Sequence, residues 1–174
     1  MPPKVLLVNE DPQFIEALGR KLRQLHITVV TAESELEITP MAAEGEIDVV
    51  LLDIRYRGEE ILQIMAGLKK ENPAVEVILL SNEASINLAM EGIQSGAYDD
   101  IAEPFEVDVI SGKIHEAWLH KKSTNKTAKR GKLALAFEKI MMAATFAEAG
   151  DFDTAKKIAH AAKPGRAKNK TIKK

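Results

Sequence analysis

The stretch Asp48-Val49-Val50-Leu51-Leu52-Asp53 decides how this chain is read. Four consecutive apolar residues without polar alternation fit a strand covered on both faces, as in the middle of a parallel sheet. The run ends on a carboxylate, and in open parallel sheets ligands bind beyond the carboxyl ends of the strands. Two further runs end comparably: Val5 to Val8 leads into Asn9-Glu10-Asp11, and Val75 to Leu80 leads into Ser81. Strand ends offering carboxylate, carboxylate and hydroxyl predict a small acidic pocket suited to a hard cation and a phosphoryl group. Chemistry requires the cation, because a carboxylate attacks an anionic phosphoryl group poorly unless positive charge bridges the two.

Outward from this pocket, short apolar runs alternate with amphipathic stretches, which is the signature of βα units. Strands are predicted at about 4–8, 27–31, 48–53, 75–80 and 98–101. Asp11 is the expected N-cap of a helix that opens at Pro12 and carries Phe14, Ile15, Leu18, Leu22 and Leu25 on one face. A second helix, near 34–44, contains Pro40, which should kink or shorten it. Ile61, Leu62, Met65 and Leu68 mark a third helix, and Ile86, Leu88, Met90 and Ile93 a fourth closed by Gly96. Val107, Ile110, Ile114, Trp118 and Leu119 mark a fifth. The segment Tyr98-Asp99-Asp100-Ile101 is short and polar and reads as an edge strand. The fold expected is α/β: a doubly wound, five-stranded parallel sheet of flavodoxin-like order 2-1-3-4-5, with a C-terminal α-helical hairpin.

The net charge of −2 over 174 residues hides a split. Residues 1–120 hold 9 Lys/Arg against 22 Asp/Glu, whereas residues 121–174 hold 15 against 4. The break falls in the polar stretch Lys121 to Arg130. The division predicted is a domain over 1–121, a basic linker over 122–131, a helical hairpin over 132–163 and a basic disordered tail over 164–174. Within the hairpin, Leu133, Phe137, Ile140, Met141 and Ala144 form one apolar stripe and Leu135, Met142, Phe146 and Ala149 a second. That helix therefore needs cover on several sides.

The chain has no cysteine, so disulfides and thiolate metal sites are excluded. No run approaches a membrane span, which leads us to expect a soluble, cytoplasmic protein without membrane contact. His26, His115, His120 and His160 lack metal-ligand spacing, and no Gly-rich phosphate loop or nucleophile–base pair points to an independent enzyme. The basic tail carries no Tyr or Trp as a stacking platform, so nucleic acid is not the expected partner.

Taken together, Val5-Leu6-Leu7-Val8-Asn9-Glu10-Asp11-Pro12, Asp48-Val49-Val50-Leu51-Leu52-Asp53-Ile54-Arg55, Val77-Ile78-Leu79-Leu80-Ser81 and Ser95-Gly96-Ala97-Tyr98-Asp99-Asp100-Ile101-Ala102-Glu103-Pro104-Phe105 resemble the receiver domain of two-component response regulators over residues 4–120. The resemblance implies that Asp53 accepts a phosphoryl group from a histidine kinase or phosphotransfer protein, and that Ser81 contacts the phosphoryl oxygen. It also implies Mg²⁺ held by Glu10, Asp53 and the backbone carbonyl of Arg55, with Asn9 reaching it through water.

Four positions leave the family pattern. Receiver domains place Lys before the proline that Pro104 matches, and here Glu103 stands there. That lysine pairs with the acceptor carboxylate, so its loss removes an attraction and a carboxylate adds a repulsion. Each is worth about 3 kcal/mol for unit charges about 5 Å apart at an effective dielectric near 20, unless Glu103 turns to solvent or Arg55 or Arg57 supplies the missing charge. Asp100 replaces the usual aromatic residue, Asn82 replaces a small one, and Tyr56 to Ile61 lacks the usual Met-Pro and Asp-Gly pairs. A module working without phosphate is therefore the competing expectation. Separately, Ala143 to Ala155 resembles part of a tetratricopeptide repeat across one helix pair. A single such pair cannot bury its own faces, which predicts docking on another protein or homodimerisation.

Overall fold

The computed structural model describes residues 1–32, 35–43, 46–55 and 60–161. Chain contacts divide it into two units, Met1–Asn125 and Lys126–Lys174. In the first unit, β1 (Lys4–Val8), β2 (Thr28–Thr31), β3 (Val49–Asp53), β4 (Glu76–Ser81) and β5 (Asp99–Ala102) form one parallel sheet ordered β2-β1-β3-β4-β5. Five helices follow the strands: α1 (Pro12–Gln24), α2 (Glu35–Ala43), α3 (Glu60–Glu71), α4 (Ile86–Gln94) and α5 (Val107–Glu148). The expected architecture and strand order are observed.

Alternation along the strands sends successive side chains to opposite faces and so builds two apolar layers. Leu6, Val8, Val50 and Leu52 pack with Ile38 of α2 and with Ile61, Met65 and Leu68 of α3. Val5, Leu7, Val49 and Leu51 pack with Leu18 and Leu22 of α1 and with Ile110 and Ile114 of α5. Every residue of β3 and β4 is buried, as the unbroken apolar runs predict. The register sets Val8 opposite Leu52, Asp53 opposite Leu80 and Ser81 opposite Ala102, so the chemically distinctive strand ends lie side by side.

Local signals hold where they are short-range. Asp11 caps α1 by accepting from the Gln13 amide, with Pro12 in the first turn where no N–H is needed. Gly96 ends α4 at φ +100°, a conformation costly for any side chain. Pro40 does not break α2, in which Ile38 and Ala42 are fully buried. Docking of that face offsets the hydrogen bond that the proline removes. In α4, Ala89 and Gly92 are buried and Leu88 packs against the same core, while Ile86 and Met90 are more than half exposed. A Cβ on Gly92 would come 2.5 Å from Leu79 Cδ1, so small residues set the approach of this helix to the sheet.

The linker expected over 122–131 is helical, because α5 runs without interruption through it. Lys, Arg and Ala are good helix formers there, and no proline intervenes. Lys121, placed at the boundary by its charge, is buried and donates to the Ile47 carbonyl at 2.6 Å and to Asp48 Oδ1 at 3.1 Å. In the second unit the C-terminal part of α5 is followed by α6 (Phe152–Ala161). Gly150 (φ +86°) makes the turn, and Asp151 accepts from the Thr154 amide. Ala143 and Ala155 are buried, whereas Leu133, Phe137, Ile140, Met141 and Met142 remain more than half exposed. The tail expected over 164–174 lies outside the described residues, as does the loop containing Tyr56 and Arg57.

Candidate functional site

Asp53 ends β3 with its side chain 5% exposed, and both its oxygens are engaged. Arg55, two residues on, donates its backbone N–H to Oδ1 at 3.0 Å. Its guanidinium then folds back: Nε lies 3.0 Å from Oδ1 and 3.1 Å from Oδ2, and Nη2 lies 2.6 Å from Oδ2. Asn9 Nδ2, from the end of β1, donates to Oδ2 as well. Asn9 is oriented by its own turn, since its Oδ1 accepts from the Asp11 amide at 2.6 Å. Planar guanidinium facing a carboxylate is among the stronger charge-assisted geometries.

The remaining arm of Arg55 answers the anomaly at the exit of β5. Nη1 lies 2.9 Å from Glu103 Oε1. Glu103 therefore neither repels Asp53 unshielded nor turns away to solvent; one guanidinium bridges the two carboxylates. The Arg55 side chain is 7% exposed, and its guanidinium carbon sits 4.9 Å from the ring centres of both Phe14 (α1) and Phe105. The two rings stand edge to face, 6.3 Å apart. A cation between two aromatic rings gains from their quadrupoles, most strongly when desolvated.

Ser81, buried at the end of β4, donates its hydroxyl to Asp100 Oδ2 at 3.1 Å. Asp100 thus occupies the hydroxyl that the family resemblance assigns to a phosphoryl oxygen. Asn82 caps the short 3₁₀ turn Glu83–Ser85, its side chain accepting from the Ser85 amide while Ser85 Oγ accepts from the Asn82 amide. The residue that replaces a small one here serves as a local cap.

The structure brings Asp53, Asn9, Arg55 and Glu103 together, sets Ser81 on the neighbouring strand end, and leaves Glu10 exposed in the turn after β1. Among the described residues, no three His, Cys, Asp or Glu side chains are arranged to hold a metal ion. As arranged, the donor set does not fit Mg²⁺. Asn9 turns its amide nitrogen, not its oxygen, to Asp53, and the carboxylate that would be the principal ligand already faces a guanidinium. The resemblance implied Arg55 as a backbone-carbonyl ligand, and the sequence reading offered its side chain, beside that of Arg57, as a source of the missing positive charge; the acidic residue 48 positions later was the signal for the contact the side chain makes.

A family model described as the response regulator receiver domain matches residues 5–115. The transcriptional regulatory protein GlrR of Escherichia coli is 31% identical over 116 residues, covering 67% of this chain and 26% of that protein. The DNA-binding transcriptional regulator NtrC of Escherichia coli is 28% identical over the same length, covering 67% and 25%. The chain thus spans about a quarter of these relatives' length. A response regulator receiver domain protein from Clostridium thermocellum matches in structure with a TM-score of 0.65 at 24% identity, covering 70% of this chain and 98% of that one. One relative is DNA-binding by name, which leaves the compositional expectation against nucleic acid without support. No helix among the described residues is long and apolar enough to cross a membrane.

Proposed function

The chain belongs to the response regulator receiver family, and we propose that it serves two-component signalling as a protein-contact module whose Asp53 is clamped rather than phosphorylated. The family's members are signalling modules that interact with histidine kinases or phosphotransfer proteins, and this chain's partners are of that kind. One observation carries the reading: four donors, three of them from Arg55, converge on the Asp53 carboxylate. Lone pairs bound in this way are poorly placed for attack on phosphorus, and the Ser81 hydroxyl is turned to Asp100. Incubation with acetyl phosphate and Mg²⁺ followed by intact mass tests it. No added phosphoryl mass is expected, and an addition that disappears in Asp53→Ala would overturn it.

A second reading, slow phosphorylation of Asp53, draws on the same guanidinium. Arg55 places positive charge at the acceptor, where developing negative charge needs it. In that case Mg²⁺, held by Asp53, Glu10, the Arg55 carbonyl and Asn9 through water, would require Arg55 to swing out. Glu103→Lys would then label faster than wild type. For output, the exposed apolar residues of the C-terminal helices favour a second copy of the chain, because the surface offered by Leu133, Phe137, Ile140 and Met141 is uncovered by α6. Sedimentation of the full chain beside Phe137→Glu tests this; a monomeric wild type counts against it.

A further inference from the structure

Building on the receiver reading of Asp53, we infer that Arg55 is the resident cation of the pocket, taking the place of both the divalent metal and the lysine, so that the native chain binds no divalent metal at Asp53. The charge has been moved rather than lost. In the family pattern, positive charge approaches the acceptor from the exit of the fifth strand. Here that exit carries Glu103, and the positive charge comes from the exit of β3. A lysine at position 103 would repel the guanidinium from this position; a glutamate draws it in with a bond of 2.9 Å.

Three features make the arrangement a built one. Two carboxylates on different strand exits share one guanidinium, and Phe14 and Phe105 flank it at equal distance from separate elements. The side chain is almost wholly removed from solvent. An arriving divalent ion would meet a like charge already seated, and Arg55 could yield only by giving up both carboxylates and both rings together. Glu103 marks such an exchange as the residue that selects between the two cations.

The same geometry predicts a latent metal site. If the guanidinium is removed, the carboxylates of Asp53 and Glu103 are left facing one another with Glu10 on the adjacent strand end, and carboxylates so grouped repel until a hard cation joins them. The Met side chain keeps an apolar stem against the phenylalanines without the charge, so Arg55→Met is the informative variant.

The experiment titrates the full chain with Mg²⁺ in thermal melts and with Mn²⁺ by paramagnetic broadening of backbone amide signals near Asp53. Wild type is expected to show no shift in melting and no broadening at millimolar ion. Arg55→Met is expected to melt lower and to recover with Mg²⁺, and Arg55→Met combined with Asp53→Asn to lose that recovery. Glu103→Lys is expected to release Arg55 and gain a metal response. Broadening in wild type that vanishes in Asp53→Asn would overturn the inference. Broadening that survives Asp53→Asn would be an adventitious ion only and supports a metal-free pocket. Should Arg55→Met fail to fold, the wild-type titration with and without Asp53→Asn still decides. Labelling of Asp53 by acetyl phosphate without any metal response would sink the clamped, phosphate-independent reading while leaving Arg55 as the pocket's cation.

Discussion

Both edges of the sheet carry a carboxylate held by a cation, yet the two edges use that chemistry differently. At the amino edge, Asp48 accepts from the Lys4 backbone N–H at 3.0 Å and from Lys121 Nζ at 3.1 Å. Beside it, buried Glu76 meets His120 Nδ1 at 2.9 Å and Lys69 Nζ at 3.7 Å, and Tyr98 packs on the His120 ring. Lys121 and His120 come from α5, far along the sequence, and Lys69 from α3 just before β4; together they tie α5 and α3 to the sheet. At the carboxyl edge the cation comes from two residues away and bridges outward to Glu103. The ion pairs of the amino edge anchor helices. The carboxyl edge is where an open parallel sheet binds its ligand, so an internal cation there competes with one. Similar contacts acquire opposite consequences from their position in the topology.

The sharpest way to break the comparison is Arg55→Met. It leaves the buried Asp53 carboxylate short of its counter-ion and is expected to cost about 3 kcal/mol in urea unfolding without metal. Next is Lys121→Met at the other edge, where two donor bonds are lost but Asp48 keeps the Lys4 amide; about 2 kcal/mol is expected. Unlike Arg55→Met, that variant should remain indifferent to Mg²⁺; a metal response would erase the distinction between the edges. Glu103→Gln removes a partner that is 44% exposed, so solvent screening limits the loss to about 0.5 kcal/mol in the same unfolding assay.

The smallest effect belongs to the exposed pair Lys4–Glu46, at 2.6 Å. The hydrogen bond and charge of Lys4 hold the Glu46 carboxyl below the usual range. A depressed carboxyl adds stability above its unfolded value and loses it as pH falls through the folded one. Lys4→Met should therefore match wild type under acid conditions and fall only slightly below it at neutral pH. Unfolding curves at the two pH values check this, and a large neutral-pH gap would show that amino-edge surface pairs are stronger than their exposure allows.

Much of the fold was legible because its signals are local or periodic. The unbroken runs Val49–Leu52 and Val77–Leu80 announced central strands, and Asp11-Pro12 announced a helix start. Less was legible where a long-range contact overrides local chemistry. Pro40 was expected to kink or shorten α2, and the helix continues through it with Ile38 and Ala42 buried. The polar composition of Lys121 to Arg130 suggested a linker, but a helix persists through it, with Lys121 satisfied by residues of the sheet edge. In the candidate site, Asp53, Ser81 and the anomaly of Glu103 could be located from motifs. Which groups touch could not, because the contacts join three stretches far apart in the sequence, 9–14, 53–55 and 103–105.

By itself, then, the sequence determined the order of elements, the central strands, and the place where a carboxylate, a hydroxyl and an out-of-pattern Glu103 would gather. Periodicity and capping are properties of short stretches, so residues a few positions apart suffice to reveal them. Only the tertiary structure decided where the positive charge at Asp53 comes from. A guanidinium has several rotatable bonds and several open directions; the sheet register, two aromatic rings and the carboxylate at the exit of β5 leave it one.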